Sequence, residues 1–185
     1  MSKKRYTERV FVAIELPRFA REVLSEKRKV WRKQLDEDVK WVPTQQLRLI
    51  LRYLGELEVS KSKQFCKNLE AYAAICEPFQ LSVADIGCTP SQEEATALWL
   101  GFERSDELLR LRSEVDAICQ RLKLPADKKP FEAKITLSKT SEPQRIPPLT
   151  VKPDFKGFMV RSLSLVESKM GQNGPTYHPL RKFNL

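Results

Sequence analysis

Two strand-like stretches, far apart in the chain, share one pattern that restricts the fold more than any other feature of the sequence. The first stretch is "LRLILRY", residues 47–53, and the second is "AKITLSK", residues 133–139. Alternate residues of a β-strand lie on the same face of a sheet. The predicted buried face comprises Leu47, Leu49, Leu51, Tyr53, Ile135 and Leu137. The opposite face comprises Arg48, Ile50, Arg52, Lys134, Thr136 and Ser138.

The spacing of the two stretches indicates an internal duplication. The basic residues that open the two polar faces, Arg48 and Lys134, are 134 − 48 = 86 positions apart. Each stretch also adjoins a segment with the periodicity of an amphipathic helix. We therefore expect two lobes whose polar strand faces lie on opposite sides of one cleft.

The remaining periodicity predicts three helices among several strands. Helices are expected over residues 18–35, from a cap at Ser60 or Ser62, and from a cap at Ser105. The basic face of the first helix is interpreted as a solvated surface. Strands are expected over residues 9–16, 46–56, 79–88, 95–102, 133–139, 155–168 and 176–185. The strands occur in hairpin-like runs without a Gly-rich phosphate loop, which favours α+β architecture with antiparallel sheets.

Composition limits the class of protein and its partners. The chain has 185 residues and a net charge of +9. This basic surplus favours RNA, DNA or an anionic membrane as partner, with a solvated basic surface as the alternative. Its four cysteines form no CxxC pair, so we expect buried free thiols and no zinc site. We find no apolar run long enough to span a bilayer and no signal-peptide core, and we expect a cytoplasmic protein.

Six stretches carry a resemblance to a known family: "RVFVAIELP", "WVPTQQLRLILRYLGE", "PFQLSVADIG", "ALWLGF", "KPFEAKITLSK" and "VESKMGQNGPTYHPLRKF". In this order they resemble the 2H phosphoesterases, in particular the LigT-like RNA 2′,3′-cyclic phosphodiesterases, also called 2′-5′ RNA ligases. The resemblance implies one bilobal domain over residues 1–185. Two antiparallel sheets, related by pseudo-two-fold symmetry, would flank a central cleft with the helices packed outside.

The family is named for two His-x-Thr/Ser motifs, which the resemblance places at Arg48-Leu49-Ile50 and Lys134-Ile135-Thr136. In the family one histidine acts as base, the other as acid, and the hydroxyl residues hold the phosphate. Here both histidines and one hydroxyl are replaced. Arginine does not give up its proton, and each general acid or base contributes about 10²–10⁴ in rate. A desolvated Lys134 acting as base would still lack a matched acid.

We therefore predict a degenerate member of the family that binds RNA ends or nucleotide phosphates with little or no hydrolysis. An active phosphodiesterase using unusual residues and a non-catalytic protein-interaction scaffold remain as alternatives. The predicted phosphate site consists of Arg48, Lys134 and Thr136, and Glu132 is an alternative partner for the two cations. We expect no metal, no cofactor, no membrane contact and a monomer. The predicted cleft-lining residues are Ile50, Arg52, Ser138, Phe11 and Tyr177, whereas the single imidazole, His178, is interpreted as a surface or edge-strand residue.

Overall fold

Nine strands, three α-helices and one short 3-10 helix (Thr44–Gln46) make up the regular structure of the described residues. The computed structural model describes residues 7–35, 39–127, 130–147, 154–172 and 174–185. The helices are α1 (Arg18–Trp31), α2 (Val59–Ala73) and α3 (Asp106–Arg121). The strands are β1 (Thr7–Glu15), β2 (Lys40–Trp41), β3 (Arg48–Glu58), β4 (Phe79–Thr89), β5 (Ala95–Phe102), β6 (Lys134–Gln144), β7 (Gly157–Val160), β8 (Ser162–Gly171) and β9 (Gly174–Asn184).

The strands form two antiparallel sheets, which confirms the predicted α+β class. The first sheet has the strand order β3-β1-β8-β9, and the second has the order β2-β6-β5-β4-β7. Every described pair of neighbouring strands is antiparallel. The two stretches that share the sequence pattern lie in β3 of the first sheet and β6 of the second. Each sheet therefore contributes one of them.

Buried apolar residues lie on both faces of the first sheet. One face joins the main core, which includes Val10, Val12 and Leu49. The other face carries a small separate cluster of Phe11, Ala13 and Val166, with Ile50 and Tyr177 packed against it. This arrangement explains why β1 reads as a continuous apolar run, since a strand buried on both faces has no polar side.

A bulge in β3 changes the faces predicted from strict alternation. Ile50 pairs with Ala13 and Arg52 pairs with Val12, so Leu51 is an extra residue in β3. A bulge shifts the alternation of the following residues by one position. Arg52 consequently lies on the side of Val12, and Tyr53 pairs with Phe11 on the side of the small cluster. The predictions that Arg52 shares a face with Arg48 and that Tyr53 is buried are both wrong; Tyr53 is exposed.

A bulge at the equivalent position of β6 has the same effect on Ser138. Thr136 pairs with Trp99 and Ser138 pairs with Leu98, so Leu137 is the extra residue. Ser138 is fully buried, whereas Lys139 takes the polar side instead. The two bulged leucines are 137 − 51 = 86 positions apart, the same interval that separates Arg48 from Lys134. The duplication pattern thus extends to the backbone irregularity of both strands.

Several helix and strand ends differ from the predicted ones. Helix α1 ends at Trp31 instead of residue 35, and α2 begins at Val59 without a side-chain cap. The cap of α3 is confirmed, because the Ser105 hydroxyl accepts a hydrogen bond from the Leu108 amide at 3.1 Å. The single strand predicted over residues 155–168 is instead β7 and β8, which belong to different sheets.

The burial of the cysteine side chains tests one further expectation. Cys66 and Cys119 are buried free thiols as expected, but Cys76 and Cys88 are partly exposed. Among the described helices, none combines the length and apolar character needed to cross a membrane.

Candidate functional site

An open cavity of about 570 Å³ brings together most of the residues predicted to form the site. The first sheet contributes Arg48, Ile50 and Tyr177 to its lining, and the second sheet contributes Lys134 and Thr136. Tyr53 and Lys139, which the two bulges turn toward this side, line it as well. The cavity therefore lies where the two polar strand faces meet.

Arg48 is a buried cation of the cavity wall. Only 8% of the residue is exposed, and its Nη2 donates to the Gln45 carbonyl at 3.2 Å. Its Nε and Nη1 are buried and have no hydrogen-bond partner among the described residues. Burial lowers the pKa of Arg48, and the charge of Glu15, its cross-strand neighbour, partly opposes this effect. The guanidinium thus bears a charge that the described protein groups satisfy only in part.

An aromatic pair supports Arg48 from the first sheet. The Arg48 guanidinium carbon lies 5.5 Å from the centre of the Tyr177 ring, within cation–π range. Tyr177 in turn packs edge-on against Phe11, with ring centres 5.1 Å apart. Phe11 is 1% exposed and does not line the cavity, contrary to the prediction. Its role is to support the tyrosine that contacts Arg48.

Lys134 occupies the opposite wall and already has a partner. Its amine forms an ion pair with Glu132 and lies 5.4 Å from the centre of the Trp99 ring. The Glu132 side chain is 62% exposed, so the pair contributes little to stability. The alternative in which Glu132 neutralises the cations therefore applies to Lys134 and not to Arg48.

Arg52, predicted to line the cleft, does line the cavity and belongs to a charge network at its edge. Its guanidinium contacts Asp116 of α3 and donates to the Pro125 carbonyl at 2.6 Å. Arg112 donates to Asp116 at 2.8 Å and to Asp127 at 2.7 Å, so both arginines are neutralised. The sequence prediction missed Arg112, Asp116 and Asp127. The spacing of Arg112 and Asp116, four residues apart on one helix, was the available signal.

The single imidazole of the chain lies outside the cavity. His178 is exposed on β9, the outermost strand of the first sheet, where it pairs with Glu167. Its Nε2 is 3.3 Å from the Thr176 hydroxyl, and it does not line the cavity. In the part of the chain that the structure describes, no group of three or more His, Cys, Asp or Glu residues is arranged to hold a metal ion.

Several curated proteins are similar to this chain in sequence. No protein-family model matches the chain. A curated RNA 2′,3′-cyclic phosphodiesterase from Thermus thermophilus is 29% identical over 96% of this chain and 90% of its own length. One from Archaeoglobus fulgidus is 28% identical over 95% of this chain and 99% of its own length. One from Geobacillus stearothermophilus is 28% identical over 54% of this chain, a match that spans only 32% of that protein.

Solved structures show the same fold along nearly the whole chain. The structure of TT0787 from Thermus thermophilus superposes with a TM-score of 0.84 at 27% identity, over 96% of this chain and 97% of the other. Escherichia coli LigT complexed with 3′-AMP superposes with a TM-score of 0.79 at 25% identity, over 97% of this chain and 99% of the other. By sequence and by fold, the chain is similar to these RNA 2′,3′-cyclic phosphodiesterases and to LigT.

Proposed function

We propose that this protein binds RNA ends or nucleotide phosphates in the cavity between its two sheets, with little or no hydrolysis. The observation that carries the proposal is Arg48, a buried guanidinium on the cavity wall with two nitrogens that lack partners among the described residues. Burying a charge without a partner costs several kcal/mol. An anion held in the cavity offsets that cost.

The balance of charge in the cavity also favours an anion. Two carboxylates line it, and each is already engaged: Asp127 with Arg112, and Glu132 with Lys134. Lys139 adds a second cation for which the described residues provide no carboxylate within 4 Å. A phosphate suits such a site because charge-assisted hydrogen bonds are about twice as strong as neutral ones.

The ligands of a related structure support phosphate as the recognised group. Escherichia coli LigT has been solved in complex with 3′-AMP, with phosphate, with ATP and with NADP+. All four ligands carry phosphate groups. We infer that Arg48, Lys134 and Thr136 hold the corresponding group in this protein, with Arg48 as a planar fork, Lys134 as a point charge and Thr136 as a hydroxyl donor.

The residues at the family's catalytic positions argue against rapid hydrolysis. Opening a cyclic phosphodiester requires one group that accepts a proton and one that donates it. Arg48 retains its proton at physiological pH, and Lys134 is paired with the carboxylate of Glu132. Loss of both imidazoles removes two contributions of about 10²–10⁴ in rate each. A protein-interaction scaffold accounts less well for a buried, partly unpaired arginine at the cavity.

A titration separates these possibilities. We expect Arg48→Gln to weaken binding of 3′-AMP by roughly 10- to 100-fold, the value of a hydrogen bond to a charged group. Lys63→Gln on α2 is the matched control: it removes the same charge from an exposed position that does not line the cavity. Equal affinities for wild type and both variants exclude the cavity as the phosphate site. Turnover of RNA ending in a cyclic phosphate at a rate normal for an active enzyme, lost in Lys134→Ala, establishes the active alternative instead.

A further inference from the structure

Helix α1 carries a straight stripe of arginines outside the cavity. Arg18, Arg21, Arg28 and Arg32 follow one another at intervals of three, seven and four residues, and Ser25 fills the central gap. Residues three and four apart lie on the same side of a helix. The stripe therefore runs along one face from the first turn to the C-cap. At 1.5 Å per residue it spans about 21 Å.

This stripe forms one wall of a groove of about 630 Å³. The opposite wall is the segment that follows β2 and includes Pro43, Thr44 and Gln45. Arg28 ties the two walls together, because its Nη1 donates to the Val42 carbonyl at 3.1 Å. The groove is therefore a fixed feature of the fold, open along its length.

An aromatic ring closes one side of the groove. Trp41 lines it and stacks on the buried Trp31 of α1, with ring centres 6.3 Å apart and planes inclined by 11°. Half-buried and held by this stack, Trp41 presents a pre-ordered aromatic surface beside the arginines. Aromatic rings interleaved with cations are the pattern by which proteins hold single-stranded nucleic acid.

The arginines of the stripe are unevenly neutralised. Arg18 pairs with Glu22, and Lys29, on another face, pairs with Glu26. For Arg21, Arg28 and Arg32, no carboxylate of the described residues lies within 4 Å. Burial and the neighbouring charge of Arg32 lower the pKa of Arg28. The helix dipole favours Arg28 and Arg32 at the C-terminal end of α1 but disfavours Arg18 and Arg21 in its first turn, so helix stability explains only half of the stripe.

The groove adjoins the cavity through neighbouring residues. The Gln45 carbonyl, on the groove wall, accepts the hydrogen bond from Arg48, and the adjacent Gln46 lines the cavity. Arg21 is near enough to Arg48 for its charge to lower the pKa of that guanidinium. A row of cations thus extends from the cavity along α1.

We propose that this groove binds the phosphodiester backbone of a single-stranded RNA whose end occupies the cavity. The inference rests on the proposed function and adds that the ligand is an oligonucleotide rather than a free mononucleotide. A linear concave groove suits a flexible strand better than it suits a flat anionic membrane. The apolar face of α1, including Ala20 and Leu24, is buried in the core and unavailable for insertion into lipid.

The test compares a short and a long ligand in the same variants. The double variant Arg21→Gln/Arg32→Gln changes two side chains with no hydrogen bond or ion pair among the described residues, so the fold should be retained. Lys63→Gln/Lys67→Gln, on exposed positions of α2, is the control with the same net charge. Each protein is titrated at several salt concentrations with octauridylate and, separately, with 3′-AMP.

We expect the double arginine variant to bind octauridylate at least tenfold more weakly than the lysine control. The slope of log affinity against log salt should fall by about 1.4, since each phosphate contact of a single strand contributes about 0.7. Binding of 3′-AMP should weaken much less than binding of octauridylate, because neither arginine lines the cavity. Equal losses of octauridylate affinity in the two double variants overturn the groove assignment, even if 3′-AMP still binds. Failure of 3′-AMP to bind wild type overturns the proposed function instead.

Discussion

At the scale of single residues, the clearest contrast is between two buried arginines on β3. Arg48 and Arg52 are 8% and 5% exposed. Arg52 is held by Asp116 and the Pro125 carbonyl, whereas Arg48 has one hydrogen bond, to Gln45, and two unpartnered nitrogens among the described residues. The difference assigns Arg52 to the stability of the fold, whereas Arg48 has the unpaired groups that the proposed function requires.

Replacing each arginine by methionine should therefore affect the free energy of unfolding of the ligand-free protein differently. Arg48→Met removes a poorly compensated charge, and we expect the free energy of unfolding to stay constant or rise by up to about 2 kcal/mol. Arg52→Met breaks a paired network and should lower it by about 1–3 kcal/mol. Urea denaturation of both variants measures the difference. A loss of more than about 2 kcal/mol in Arg48→Met would show that Arg48 is a structural residue.

Cys119 provides a second prediction, on pH. Burial raises the pKa of the Cys119 thiol to about 11. The unfolded chain loses this proton near pH 9 and the folded protein only near 11, so the folded state binds more protons in between. The free energy of unfolding should fall between about pH 9 and 11 by roughly 2–3 kcal/mol because of this thiol. Cys119→Ala should remove that part of the decline. Parallel stability–pH curves for the two proteins would contradict the assignment.

At the scale of secondary-structure elements, periodicity predicted the elements and their sheet class but not the side chains that face the cavity. Alternation placed Arg48, Ile50, Lys134 and Thr136 correctly because they precede the bulges at Leu51 and Leu137. It misplaced Tyr53 and Ser138, which follow them. A bulge depends on strand pairing between distant segments, so no local pattern in β3 or β6 indicates it.

Of the two helix caps predicted from the sequence, one is confirmed and the other is wrong. Ser105 caps α3 through the Leu108 amide, but neither serine at the start of α2 caps that helix. We expect Ser105→Ala to lower the free energy of unfolding by about 1 kcal/mol. Ser60→Ala, at an exposed position in the first turn of α2, is the matched control and should change it by less than about 0.5 kcal/mol. Thermal or chemical denaturation measures both values; equal losses would rule out the cap as the cause.

At the scale of the whole molecule, the repeated interval of 86 residues accounts for the position of the cavity. Equivalent strands in two sheets bring Arg48 and Lys134 to one cavity, and equivalent bulges bring Tyr53 and Lys139 there. The sequence resemblance predicted this architecture because six separate segments agree in order. It did not predict the network of Arg112, Asp116 and Asp127, which joins an α3 face to a loop and to β3 through contacts distant in sequence.

Restoring the family's motifs tests whether the rest of the molecule still supports catalysis. The triple variant Arg48→His/Ile50→Thr/Lys134→His places both imidazoles and the missing hydroxyl on the cavity wall. We expect measurable but partial hydrolysis of RNA ending in a 2′,3′-cyclic phosphate, because catalytic groups must be held within about 0.5 Å by their neighbours. Hydrolysis by the wild type at the same rate would refute the view that the replaced residues abolished catalysis.

The central claim is that the cavity holds a phosphate between Arg48 and Lys134. A crystal structure of the protein grown with 3′-AMP tests it most directly. We predict the phosphate within hydrogen-bond distance of both side chains and of the Thr136 hydroxyl, with Lys134 released from Glu132. A cavity that stays empty at saturating 3′-AMP, or a nucleotide bound elsewhere on the basic surface, would contradict the account.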